Sequence, residues 1–195
     1  MKFINKLGAV LGFIKRKVFE FKLRKASPIE KAEIMRDKFY FIGKNVQLFT
    51  NAFGTEPYLI SIHDNVTCAA HVAFITHDVS IHNLARTLNL PIGSIDKVGS
   101  IELFDNCFIG AYTILMPNCS VGKNSIVGAG SIVTKHIPDN EVWGGCPARF
   151  IMSVKDYAKK MVANSEKYPW MPLERKMAMS EEELKESRKK YFFKK

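Results

Sequence analysis

With 195 residues, 47% of them hydrophobic and 25% charged, the chain is long enough for one domain with a real core and is ordinary in composition for a globular protein. No uninterrupted apolar stretch reaches the ~20 residues that a membrane-spanning helix needs. The net charge of +10 sits at the ends: residues 1–25 carry eight Lys/Arg against one Glu, residues 150–195 carry twelve against seven acidic residues, and 26–149 carry nine against eleven. This distribution argues against a nucleic-acid recognition fold, whose basic charge would spread over the middle.

The first segment, MKFINKLGAVLGFIKRKVFEFK, has Lys and Arg on both sides of a short apolar run and no small-residue cleavage site. It is therefore read as a helix of a cytoplasmic chain and not as a signal peptide, with the four cysteines reduced. Phe3, Leu7, Leu11, Ile14, Val18 and Phe21 recur every three or four residues, which predicts an amphipathic helix over 3–23. Such a helix suits packing against the protein, or peripheral contact with an anionic inner membrane face. Ser27-Pro28 before IEKAEIMRDKF gives a cap followed by proline at the first helical position, so residues 1–40 form an N-terminal helical segment.

From 42 onward the sequence falls into sixes. IGKNVQ begins at Ile42, LFTNAF at Leu48, IHDNVT at Ile62, CAAHVA at Cys68, and a further unit at Phe74. FGTEPYL (53–59) interrupts the series mildly and 78–100 interrupts it at length. From 103 the units are unbroken: LFDNCF, IGAYTI, LMPNCS, VGKNSI, VGAGSI, VTKHIP. Their first residues are Leu103, Ile109, Leu115, Val121, Val127 and Val133, and five of the fifth residues are small. An aliphatic side chain and a smaller one pointing inward every six residues fill a narrow core. Asn45, Asn51, Asn65, Asn106, Asn118 and Asn124 recur at the fourth position, where a residue that tolerates the left-handed conformation turns a corner. Three sixes complete a triangular turn and put residue i above residue i+18, with coils about 4.8 Å apart. Residues 41–150 are thus predicted to form a parallel β-helix with 78–100 looped out from one face. After it, Ser153 before VKDYAKKMVANSEK and the Ser180-Glu183 pair before LKESRKKYF predict capped helices in an extension at 151–195, with KYPWMPLE as a proline-broken connector.

Five histidines could do chemistry. His63 takes a second, outward position, His71 and His136 take corner positions, and His82 lies in the long insertion. His77 also takes a corner, three residues after Phe74, but it is the last residue before the insertion. It therefore stands where the coil wall meets a projecting loop, which is where a cleft forms. Asp78 and Asp64 are candidates to orient it. Cys107 and Cys119, at inward fifth positions, read as core fillers. A zinc carbonic anhydrase of similar repeat would need an earlier histidine ligand, and residues 1–62 contain none.

The ITHD run at 75–78, the loop, and then FIGAYTILMPNCSVGKNSIVGAGSIVTKHIPDNEVWGGCPAR resemble hexapeptide-repeat O-acetyltransferases, a family that includes galactoside, maltose, capsular-polysaccharide and xenobiotic acetyltransferases. The resemblance covers residues 27–152. It implies an all-β core, a left-handed parallel β-helix, with N- and C-terminal helices. It also implies acetyl-coenzyme A as cosubstrate, no required metal, and a homotrimer with the site between neighbouring subunits. His77 matches the family's general base, which takes a proton from an acceptor hydroxyl or amine. Ala111 matches the backbone N–H donor to the thioester oxygen, and Ala129, Thr134 and Lys135 fall in the segment lining the cofactor groove. Arg149 matches a basic residue near the cofactor phosphates. The resulting expectation is an O-acetyltransferase acting on a sugar hydroxyl of a surface polysaccharide or its precursor. Antibiotic or amino-sugar acetylation, and a non-catalytic trimeric scaffold, are the alternatives.

Overall fold

The computed structural model describes residues 2–193, with the side chains of 2–11 outside the description. The chain divides into two compact units between Ile151 and Met152. In the first, fourteen short strands are named here in chain order: β1 (Phe41–Ile42), β2 (Gln47–Leu48), β3 (Ile60–Ile62), β4 (Thr67–Cys68), β5 (Ala73–Phe74), β6 (Ile101–Leu103), β7 (Phe108–Ile109), β8 (Ile114–Leu115), β9 (Cys119–Val121), β10 (Ile126–Val127), β11 (Ile132–Val133), β12 (His136–Ile137), β13 (Glu141–Gly144) and β14 (Arg149–Ser153), the last running just past the division.

These strands form three sheets, ordered β1-β3-β6-β9-β12, β14-β13-β10-β7-β4-β2 and β11-β8-β5. We call them the first, second and third walls, since the chain visits them in that order on each coil. Pairing is parallel, and in the middle coils the register is i to i+18: Ile101 faces Cys119, Ile109 faces Val127, and Ile114 faces Ile132. First-position residues such as Leu48, Ile62, Leu103, Ile109, Leu115 and Val121 are buried, as are fifth-position Val66, Val72, Cys107, Thr113, Cys119 and Ser125. Burial pushes the Cys107 and Cys119 thiols up to about 12, so neither supplies a thiolate at neutral pH and both serve as core fillers.

The corners carry the left-handed residues. Asn45, Asn65, Asn106, Asn118, Asn124 and Asn140 have φ of 53–63°, and Asn106 Nδ2 donates to Asn124 Oδ1 (3.1 Å), which continues to Asn140 (2.9 Å), a ladder along the first corner. At the second corner His71 and Tyr112 take the same conformation and stack with ring centroids 4.6 Å apart. Two expectations are corrected. Asn51 does not adopt the left-handed conformation, because its unit is one residue short: Ala52 already bridges to Ala73, and Thr50 Oγ1 donates to Val72 O (2.6 Å) in the fifth-position place. His136 is not a corner residue but a strand residue paired with Ser120, because the last full coil is shortened at Thr134-Lys135 and Val121 faces Ile137.

At Gly110 the backbones of two successive coils approach closely. A Cβ there would lie 2.4 Å from Ala129 N and 2.7 Å from Val127 O, both backbone atoms that cannot swing aside. Gly110→Ala is therefore expected to destabilise the helix by about 1–3 kcal/mol, read as a lowered midpoint in thermal denaturation. An unchanged midpoint would show that the coils can part at no cost.

Helix α1 spans Lys2–Lys25 and α2 spans Pro28–Met35. Ser27 caps α2, accepting from the Glu30 N–H while Glu30 returns a carboxylate to the Ser27 N–H, and the helix buries Ala32 and Met35 in the core. In α1, Ile14, Val18 and Phe21 are half exposed; Phe3, Leu7 and Leu11 of the same expected stripe lie outside the described side chains. Among the described residues no helix is long and apolar enough to cross a membrane. Within the loop at 78–100, α3 occupies Ile81–Thr87.

The second unit contains α4 (Val154–Ser165, capped by Ser153), α5 (Leu173–Ala178) and α6 (Glu181–Phe192, with the Ser180/Glu183 capping box). Helix α5 was not expected from the sequence; it begins directly after Pro172, at the end of the predicted connector. Tyr168, Trp170, Tyr191 and Phe192 pack ring to ring and bury Trp170.

Candidate active site

Strand β5 delivers the chain to the third corner, where Thr76 is buried and His77 follows. The corner then opens into the long loop, which is clasped at its base. His77 bridges Val98 in antiparallel fashion, Gly99 N–H donates to Thr76 O (2.9 Å), and Asp78 N–H donates to Lys97 O (2.9 Å). Lys97 Nζ lies 2.6 Å from Asp78 Oδ2, and this contact, with the Ser80 N–H on Oδ1, holds the Asp78 carboxyl well below the usual carboxylate range. Asp78→Ala should open the clasp, and limited proteolysis at pH 7 should then cut within 79–97 several-fold faster, without a change in the melting of the coils. An unchanged cleavage rate would assign closure of the loop to its backbone bonds alone.

The residue that holds His77 is neither Asp78 nor Asp64, whose carboxylates are occupied by Lys97 and by the Lys44 N–H (2.8 Å). It is Glu56, from the mild interruption at 53–59: Glu56 Oε1 lies 3.0 Å from His77 Nδ1. The other Glu56 oxygen accepts from Thr55 Oγ1 (2.6 Å) and Thr76 Oγ1 (3.1 Å). The hydrogen bonds from Thr55, then those from His77 and Thr76, hold the Glu56 carboxyl below its ordinary value against the opposing effect of burial. An ionised carboxylate only accepts, so it selects the tautomer with hydrogen on Nδ1 and leaves the Nε2 lone pair free. Nε2 is buried and among the described residues has no hydrogen-bond partner; Asp96 Oδ1 lies 3.3 Å from it, on a side chain that is itself largely exposed near the end of the loop. A buried imidazole nitrogen with no hydrogen bond, facing one exposed loop carboxylate, can accept from a donor that displaces that carboxylate.

Ala111 lies partly exposed at the second corner. Its C=O accepts from Gly130 N–H (2.8 Å), and its own N–H donates to no acceptor among the described residues. Ala129 is exposed one coil further at the same corner. Thr134 and Lys135 are exposed beyond β11 at the third corner, with Lys135 Nζ 5.2 Å from the centre of the Trp143 ring. Arg149 is exposed, and among the described residues its guanidinium donates only to the neighbouring Ala148 O (3.0 Å). The structure thus groups Ala111 with Ala129, and Thr134 with Lys135. It does not bring Ala111 and Ala129 to His77: the third wall, β5, β8 and β11, lies between the second corner and the third.

Residues 100–135 match the profile of the bacterial transferase hexapeptide (six repeats). The chain is 34% identical over 116 residues to Protein CapG of Staphylococcus aureus, covering 60% of this chain and 65% of that protein. It is 35% identical over 118 residues to galactoside O-acetyltransferase of Escherichia coli (strain K12), covering 60% and 56%. A solved galactoside acetyltransferase in complex with coenzyme A superposes with a TM-score of 0.53 at 24% identity, over 75% of this chain and 82% of that one. The chain therefore spans a little over half to just under two thirds of the length of these curated relatives. The fold is a left-handed parallel β-helix with flanking helices: the repeat led us to expect the parallel coil, and the resemblance to hexapeptide-repeat acetyltransferases implied its hand.

Proposed function

We propose that this chain, a hexapeptide-repeat protein whose relatives include sugar acetyltransferases, is an acetyl-coenzyme A-dependent O-acetyltransferase with His77 as general base and a sugar hydroxyl of a glycan as acceptor. The observation that carries the reading is the buried Nε2 of His77, which makes no hydrogen bond among the described residues, with Nδ1 fixed by Glu56. An acceptor hydroxyl donating to Nε2 displaces Asp96. As its oxygen attacks the thioester carbonyl carbon, its proton passes to Nε2; the carbon–sulfur bond then breaks, and the thiolate takes that proton from the imidazolium. Glu56 stabilises the imidazolium between the two transfers, and no metal is needed because thiolate is a good leaving group.

Ala111 and Ala129, which suit the coenzyme, stand one wall away from the base within one chain. The free N–H of Ala111 suits the thioester oxygen, the exposed Ala129 backbone suits the pantetheine arm, and Thr134, Lys135 and Arg149 suit the phosphates. A site shared between copies resolves the separation. The outward face of the third wall supports it: Ala73, Ile75, Ile114, Met116 and Ile132 are apolar and lie between the two corners. We therefore expect a homotrimer by light scattering at micromolar concentration; an active monomer would contradict the shared site. The reaction itself is tested by thiol release from acetyl-coenzyme A in the presence of galactosides, glucosides, amino sugars and antibiotics. Release that depends on a sugar hydroxyl is expected. A folded protein that releases thiol with none of them would overturn the reading and leave the non-catalytic scaffold.

A further inference from the structure

A cavity of about 310 Å³ opens at the start of the first wall, lined by Tyr40, Tyr58, Ser61, Ser100, Ile101 and Glu102. Its volume is at the low end for small-ligand sites. Two tyrosines frame it from outside the core, Tyr40 with 81% and Tyr58 with 60% of its surface exposed. Exposed aromatic rings present apolar faces and phenolic hydroxyls together, a combination that suits a partner with both CH and OH groups. Besides the tyrosines, the polar lining residues are Ser61, Ser100 and Glu102, whose Oε1 lies 3.0 Å from His63 Nε2. Among the described residues no Lys or Arg lines the cavity, so it does not suit the phosphates of a nucleotide.

The cavity is built from the two segments that run away from the base. Tyr58 follows Glu56 by two residues, and Ser100 follows Gly99, whose N–H is bonded to Thr76 O beside His77. We infer that this cavity is a subsite for a second pyranose unit, so that the acceptor is an oligosaccharide whose acetylated sugar sits at His77 while a neighbouring sugar stacks on Tyr58 and Tyr40. The inference rests on the proposed sugar acetylation and narrows its substrate class. A pyranose carries an apolar CH face for the rings and hydroxyl donors for Glu102 and the serines, whereas a compact drug bound at His77 would leave the cavity empty.

The test compares methyl galactoside and methyl glucoside with the matching β-linked tetrasaccharides as acceptors. We expect kcat/KM to be about tenfold higher on a tetrasaccharide, the size of one or two aromatic contacts. Tyr58→Ala should remove most of that advantage and keep the rate on the methyl glycoside, while Tyr58→Phe should keep the advantage. Both side chains are exposed, so unchanged thermal melting is expected of the variants. Equal kcat/KM on both lengths, or an equal loss on both lengths in Tyr58→Ala, would overturn the subsite. Binding is read separately by saturation-transfer NMR with the same tetrasaccharides. Binding that Tyr58→Ala abolishes, with no acetylation of any acceptor, would uphold the subsite and remove the transfer reading. The absence of both binding and acetylation would overturn the subsite.

Discussion

His77→Ala should lower kcat for acetyl transfer by about 10²–10⁴, the contribution of a positioned general base, while coenzyme affinity and thermal melting stay close to wild type. The expectation follows from where the ring sits. It lies at a corner and not in the column of aliphatic side chains, so its removal leaves the core intact. Its partner Glu56 keeps two hydroxyl donors, Thr55 and Thr76, and is not abandoned as a buried charge. Thiol release with acceptor present, measured beside circular dichroism and coenzyme binding, separates loss of the base from loss of the fold. A variant that turns over at the wild-type rate would remove His77 from the mechanism.

The second large effect belongs to Glu56→Gln. The two side chains have the same shape, but the amide can offer an N–H to Nδ1, which moves the imidazole hydrogen to Nε2 and takes away the lone pair that the acceptor needs. A loss of about 10²–10⁴ in kcat is expected, as when a carboxylate that sets a histidine tautomer is replaced by its amide. Glu56→Asp, which keeps the charge at a shorter reach, should recover part of it. A purely structural role would lower melting and leave kcat of the folded fraction unchanged. The pH behaviour has a definite sign. The Glu56 carboxyl is held below its ordinary value, so the stability it contributes is complete above that value and is lost as pH falls through the lowered one. Glu56→Gln lacks that contribution at neutral pH, and its melting should respond less to acidification below about pH 4 than that of wild type.

The repeat made the coil legible because each position in a six has one physical task. Leu103 to Val133 fill the core, Asn106, Asn118 and Asn124 turn corners, and i+18 stacking follows from counting. Counting fails where the count itself changes. One residue is missing between Leu48 and Phe53, so counting in sixes puts Asn51 at a corner it does not occupy and Phe53 in an interruption, although Phe53 is a buried first-position residue. That slip hid Glu56. Read from Phe53, it falls three residues on, as His77 does from Phe74, so the two side chains are corner neighbours on successive coils. The shortened turn at Thr134-Lys135 misplaced His136 in the same way. Asp96 and the clasp of Asp78 with Lys97 depend on how an aperiodic loop returns to the coil, which no repeat encodes. The separation of Ala111 and Ala129 from His77 is implicit in the triangle, since the second and third corners are one wall apart, and this distance is the reason for proposing a site completed by a second copy.

The most direct test of the shared acetyl-transfer site is a crystal structure with coenzyme A bound. The account predicts a coenzyme running along the second corner past Ala111 and Ala129 of one copy, its phosphates near Lys135 and Arg149. Its sulfur should end close enough to His77 of a neighbouring copy that an acceptor oxygen fits between them at the ~3–3.5 Å separations of a near-attack arrangement. A coenzyme bound at another face, or a sulfur beyond the reach of every His77 in the assembly, would contradict it.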